Sequence, residues 1–209
     1  MTIGLYSLIF QREIPDGWEA KELKDFANTS SGSTPLSTKP EYYENGNIAW
    51  INSGELNNPY ILKSKNFITE KGLENSSTKI LAKKTLLIAM YGATAGKSSL
   101  LLIPACTNQA ICAVIPQSEF LTLYLKFAFS DLYEHLINLS SGSARDNLSQ
   151  DLLKELKFIV PIDFLLIDFN QFVNPIIEKI SANMAENQTL SELRDWLLPM
   201  LMNGQVTVT

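Results

Sequence analysis

The stretch LLIAMYGATAGKSSLLL, residues 86–102, decides between two architectures. It carries Gly96-Lys97-Ser98 behind an apolar run, which is how a phosphate-binding loop ends. Taken that way, it would make the chain a nucleotide-hydrolysing α/β protein. Such a loop must be long enough for successive backbone N–H groups to curl around a phosphate. Only Ala93, Thr94 and Ala95 separate Gly92 from Gly96, one residue too few, and Tyr91 stands where the first glycine belongs. The residues after Lys97 read as a strand, whereas a phosphate loop leads into a helix whose N-terminus faces the anion. Spacing and context both fail. The stretch therefore reads as a glycine-bearing hairpin between two apolar strands. It either simply turns the chain or presents Tyr91, Thr94 and Lys97 to a partner.

The same alternation of short apolar runs and turn residues extends outward from this hairpin. GWEAKELKDFA (17–27) pairs a strand with a short helix, and NIAWINSGEL (47–56) is a strand leading to a loop. AICAVIP (110–116) is a further strand bounded by Asn and Pro. SEFLTLYLKFAFSDLYEHLINL (118–139) is helical, with Ser118 as N-cap and apolar residues at three- and four-residue steps. LSQDLLKELKFIVP (148–161) reads as a short helix from Ser149 and a strand ending at Pro161. The fold class expected is α+β: a mixed α/β globular domain over residues 1–161, followed by a long helical region over 162–209.

Beyond Ile162 the pattern is helical only. Apolar residues recur at helical spacing through Phe169, Phe172, Ile176, Ile180, Leu190, Leu197 and Leu201. Pro175 lies inside the stripe. Asn174 can cap a new helix with Pro175 at its first position, so a restart near 174 is expected, running on for about 37 Å at the helical rise per residue. Asn183 and Asn187 interrupt the stripe, and a seam asparagine sets register between paired helices at some loss of stability. The stripe is a dimerisation face made of Phe169, Ile176, Ile180, Asn183, Asn187, Leu190 and Leu197, or else the helix folds back on its own domain with the asparagines at a wet edge.

Bulk properties narrow the function. The 209 residues are 45% hydrophobic, enough for one sizeable core. No apolar run of about 18 residues exists, so no membrane span is expected. The opening MTIGLYSLIFQREIP lacks a basic leader and a small-residue cleavage site, so it is not read as a signal peptide. Cys106 and Cys112 are too far apart on one strand for a disulfide, which suits a reducing cytoplasm. The single histidine, His135, sits on a helix surface, and no metal-ligand spacing appears. The net charge of −5 argues against indiscriminate nucleic-acid binding. The charge is uneven, however. Residues 71–97 carry five lysines against the single acid Glu74, and residues 150–209 carry eight acids and four bases. Two surfaces with different partners are implied.

Six segments in order resemble one half of the DNA-specificity subunit of type I restriction-modification enzymes. They are IPDGWEAKELKDFA (14–27); GSTP (32–35) with YYENGNIAWINSGEL (42–56), where Ala49 replaces the usual proline; ITEKGLENSSTKILAKKTLLIAMYGATAGKSSLL (68–101); TNQAICAVIP (107–116); GSARDNLSQDLLKELKFIVP (142–161); and LRDWLLPMLMNGQVTV (193–208). The resemblance implies a target-recognition domain followed by a long coiled-coil-forming helix. It implies double-stranded DNA as a partner, with each domain reading half of a split target. It also implies separate modification subunits that methylate with S-adenosylmethionine, and separate ATP-dependent restriction subunits. The chain itself would carry no reaction and no cofactor. Family members usually hold two domains and two helices, so this chain is either a half-subunit pairing with a copy of itself, its helices antiparallel, or a fragment.

Lysines 39, 83, 84 and 97 are candidates for phosphate contacts. Asn108, Gln109, Arg145 and Asn147 are fork-shaped side chains in turn-rich segments and are candidates for reading base edges. Each has an ordinary alternative: a solvated lysine, an ion pair of Arg145 with Asp146 or Asp151, a turn or cap role for Asn147. Two other readings are carried. NNPY (57–60) resembles the adenine-presenting motif of DNA methyltransferases, but Asn58 replaces its first proline and no cofactor loop precedes it, so a turn is expected. A helical protein-interaction module without DNA binding is the other.

Overall fold

The structure is a computed structural model that describes residues 14–141 and 147–205. The readings made on the first thirteen residues, on Arg145 and on the final four residues lie outside them. Contacts divide the chain into two units, Met1–Asn170 and Gln171–Thr209.

The first unit begins with β1 (Glu19–Glu22), α1 (Leu23–Phe26), β2 (Ala27–Ser31), β3 (Ile48–Ile51), β4 (Tyr60–Ile61), β5 (Phe67–Ile68) and α2 (Glu70–Glu74). It continues through β6 (Leu86–Ala89), β7 (Ser98–Leu101), β8 (Cys106–Thr107), β9 (Ile111–Pro116), α3 (Leu121–Asp131), α4 (Tyr133–Ser141), α5 (Gln150–Lys154) and β10 (Lys157–Val160). The main sheet has five strands in the order β2-β9-β6-β7-β4; β5-β3-β8 and β1-β10 form smaller sheets.

Residues 86–102 supply β6, the central strand of this sheet, and its neighbour β7. β6 pairs antiparallel with β7, Leu86 opposite Leu100, and with β9, Leu86 opposite Val114. All its residues are buried, because both faces are covered. Leu86 and Ile88 join a core with Leu125, Phe129, Leu136 and Phe158 on the helical side. Leu87 and Ala89 point the other way, into a core with Ile51, Leu56 and Ile61. Strand alternation thus turns one uninterrupted apolar run into two half-cores.

Most of the expected elements form, and the chemistry expected of Ser149 is present: its hydroxyl accepts from the Leu152 N–H at 3.1 Å, capping α5. The long helix expected from Ser118 is two helices instead. Phe120 occupies the N-cap of α3, and Ser118 contributes only its carbonyl, which accepts from Leu121 N–H. Leu132, at φ −81° and ψ −1°, ends α3, and α4 starts at the next residue; Leu132 and Leu136 lie in the same core as Phe129. Cys106 and Cys112 lie on different strands, β8 and β9, both buried and unpaired. His135 is half-buried on α4, where burial lowers its pKa.

The last helix, α6 (Asp163–Met202), also corrects an expectation. It does not restart at Asn174 but runs on for 40 residues with Pro175 and Pro199 inside it, about 60 Å at the helical rise. Pro175 removes one backbone bond, at a cost of about 3 kcal/mol for an interior position. The uninterrupted ladders on either side outweigh that. Among the described residues, no helix is long and apolar enough to cross a membrane.

Candidate nucleic-acid interface

The β6–β7 loop is closed at its base by bonds from Gly96 N–H to the Ala89 carbonyl and from Ala89 N–H to that of Lys97, both 2.9 Å. Gly92 and Gly96 have φ +83° and +79°, conformations that favour glycine, and a Cβ on Gly96 would also lie 3.1 Å from that of Leu136. Of the three side chains expected to face a partner, Thr94 points inward. It is buried, and its hydroxyl donates to the Ser53 carbonyl at 3.0 Å, fastening the loop to the single turn of 3-10 helix at Ser53–Asn57. Lys97 reaches the same turn and donates to Asn57 Oδ1. Tyr91 is half-buried against the helical core. NNPY is a turn running into edge strand β4: Asn57 bonds the Gly54 carbonyl, and the Pro59 carbonyl accepts from Leu100 N–H.

Beside Lys97 lies a cleft of about 240 Å³ whose lining includes Asn57, Lys97, Ser98, Lys126, Ser130 and Tyr133. Lys126, on α3, was missed by the sequence reading. It is only 5% exposed, and its ammonium donates to the hydroxyls of Ser130 at 2.9 Å and Ser98 at 3.3 Å. No carboxylate among the described residues pairs with it. Burial lowers its pKa. A signal was available: Lys126 is the only charged residue between Glu119 and Asp131, set alone in an apolar helix.

The remaining candidates occupy separate turns. Asn108 and Gln109 form the β8–β9 turn. The Asn108 amide is consumed locally, donating to Asn52 Oδ1 at 3.1 Å and accepting from Ala110 N–H at 3.1 Å. Gln109 is exposed, and its Oε1 accepts from the Thr34 hydroxyl at 2.6 Å. Lys83 and Lys84 are exposed in the turn before β6, where Lys84 takes φ +68°, uncommon for a side-chain-bearing residue. Lys39 precedes the turn Pro40–Tyr42, its ammonium 5.5 Å from the centre of the Tyr42 ring. Asn147 is exposed ahead of α5, and Arg145 lies outside the described residues.

Of the helix residues, Phe169 belongs to the first unit, where its ring meets Phe127 edge-on at 5.9 Å, and the neighbouring Asn170 amide donates to the Phe120 carbonyl at 2.6 Å. Within the second unit Phe172, Ile176, Leu190, Leu193, Trp196, Leu198, Leu201 and Met202 are exposed. Asn183 and Asn187 are exposed as well, and Ile180 and Leu197 are half-buried. Positions 169, 176, 183, 190 and 197 are seven residues apart, the repeat of a helix-pairing seam.

Comparison with known proteins places this architecture. Over 197 residues, 92% of this chain and 42% of the relative, it is 31% identical to the type I restriction enzyme HindI specificity subunit of Haemophilus influenzae. It is 32% identical over 193 residues to the MjaIX specificity subunit of Methanocaldococcus jannaschii, covering 84% of this chain and 44% of that one. The chain thus spans less than half the length of these relatives. Its fold is shared with the S subunit of a type I system from M. genitalium, at TM-score 0.64 and 19% identity over 88% of this chain and 45% of that one. It is shared also with the HsdS subunit of Thermoanaerobacter tengcongensis, at TM-score 0.59 and 15% identity over 93% and 47%. Residues 15–163 match the family described as the type I restriction modification DNA specificity domain, and the chain belongs to that family.

Proposed function

We propose that this chain is a non-catalytic specificity element that reads one half of a bipartite double-stranded DNA target in the cytoplasm. The observation that carries the reading is that the specificity-domain match over 15–163 leads directly into a 40-residue helix with many exposed apolar side chains. Such side chains call for a protein partner. The partner proposed is a second copy, the two helices antiparallel along the seam of Ile176, Ile180, Asn183, Asn187, Leu190 and Leu197. Domains 1–161 and 162–209 then divide reading from spacing. DNA methyltransferase subunits dock on the assembly and supply the methylation chemistry, with restriction subunits where the system has them. Two-fold symmetry makes the target an inverted repeat with a fixed gap.

Within the reading domain, Lys39, Lys83, Lys84 and Lys97 serve phosphates. Gln109, Asn147 and Arg145 serve base edges, with Tyr91 at the loop surface. Asn108 and Thr94 are positioning residues, since their polar atoms are engaged within the fold. Gln109→Ala is expected to cost about 1–3 kcal/mol of binding at a single base pair and nothing elsewhere, read by competition against a set of single-substitution duplexes. The overall test is duplex binding at two salt concentrations, with light scattering for the oligomeric state. The reading expects a dimer whose DNA affinity falls steeply with salt. A protein-interaction module would show no salt-dependent DNA binding, and a monomer at high concentration would remove the pairing.

A further inference from the structure

We infer that the cleft between the β6–β7 loop and α3 seats one backbone phosphate of the bound duplex, with Lys126 as its principal ligand and Lys97 and Ser130 beside it. The inference rests on the DNA-reading function proposed above. Its origin is a charge that no carboxylate among the described residues compensates. A buried ammonium without a carboxylate is costly and is ordinarily paired. The Lys126 ammonium has three protons to donate. Two are directed to the hydroxyls of Ser130 and Ser98, which relieve the hydrogen bonding but not the charge. The Ser130 hydroxyl in turn donates to the Lys126 carbonyl at 2.9 Å, which fixes its lone pairs toward the ammonium. The third proton and the whole positive charge are left for something that enters the cleft.

Lys97 lines the same cleft and supplies a second cation. Lys97 lies on the loop that Thr94 fastens to the Ser53–Asn57 turn, and its ammonium is held at the rim by Asn57. Two lysines and two serines that line one cleft from a loop, a strand and a helix suit the tetrahedral oxygens of a phosphate. A free nucleotide is a poorer match, because the loop that carries Gly96-Lys97-Ser98 continues into strand β7 and offers no helix N-terminus. A phosphodiester within a duplex needs only the cleft itself. Contacts to phosphate position a reader without specifying sequence, so this site would set how the domain sits on DNA and leave the choice of bases to the exposed turns.

The test uses the 209-residue chain. Lys126→Met keeps the buried stem and removes the charge. Folding is checked by circular dichroism and melting temperature, and dissociation constants are measured on target and non-target duplexes over a range of salt. The expected result is affinity weaker by about tenfold or more on both duplexes, a salt dependence shallower by about one counterion, and an unchanged ratio between the duplexes. If Lys126→Met does not fold, Lys97→Met and Ser130→Ala are expected to weaken both duplexes in the same parallel way. Unchanged affinity and salt slope in a folded Lys126→Met overturn the inference, as does a loss confined to the target duplex. A second arm titrates inorganic phosphate by phosphorus NMR. Phosphate binding that Lys126→Met abolishes, with duplex affinity untouched, assigns the cleft to a free anion and overturns its role on DNA. If the unaltered chain shows no salt-dependent duplex binding, the functional reading itself has failed, a result distinct from failure at Lys126.

Discussion

Gly32 sits where the chain leaves β2 and passes so close to β8 that a Cβ would lie 1.9 Å from the Thr107 carbonyl oxygen. The neighbouring Ser33 donates its N–H to that same carbonyl, and its own carbonyl accepts from the Trp50 indole at 3.1 Å. Since the overlap is with backbone, no rotamer change relieves it. Gly32→Ala is expected to destabilise by about 1–3 kcal/mol, measured as a lowered urea midpoint. Tyr124 gives a pH-dependent case. Its hydroxyl donates to the Ile159 carbonyl at 2.6 Å, and burial pushes its pKa from 10.0 up to about 12. Below pH 10 its contribution is intact. Between 10 and 12 the unfolded phenol ionises while the folded one does not, so stability falls across that window. Tyr124→Phe is expected to flatten this decline and to cost about 1 kcal/mol at neutral pH, both read from melting temperature against pH. Residue type alone did not say which way Thr94 and Asn108 point. Both were expected at a binding surface because they sit in turns. What turns them inward is the adjacent pair Asn52 and Ser53, which meet Asn108 and Thr94 from a distant part of the sequence, and no local pattern records that meeting.

At the scale of elements, periodicity succeeded where an element's own sequence controls it. β6, β7 and β9 are short apolar runs bounded by turn residues, and Ser149 carries its own cap. It failed at helix boundaries. The break at Leu132 lies inside one continuous helical pattern: Leu125, Phe129, Leu132 and Leu136 keep three- and four-residue spacing across it and share one core, so periodicity does not mark it. The expected break at Pro175 does not occur, because the stripe continues on both sides and the loss of a single bond is local. Pro175→Ala restores the missing N–H and removes the ring's clash with the Gln171 carbonyl. It is expected to stabilise by up to about 3 kcal/mol, read as a higher melting temperature with unchanged helical ellipticity. A fall in stability would mean that packing requires the proline's geometry.

The whole molecule, on the reading proposed, depends on what covers its last helix. Leu190 is 54% exposed in the chain by itself, and it stands on the same seven-residue seam as Ile176 and Asn183. Leu190→Glu is expected to shift the dimer toward monomer in light scattering at constant concentration. DNA affinity should fall with it, and the melting of the separate chain should barely move. The exposed Trp196 adds a built-in control on this assembly. Trp196 is 59% exposed and, six residues after Leu190, turns to the opposite side of the helix from the seam, whereas Trp50 is only 7% exposed and bonded within the domain. A water-exposed indole emits at longer wavelength than a buried one, so pairing along the seam should leave this emission unchanged as concentration rises, and a blue shift would place the contact on the other face of the helix.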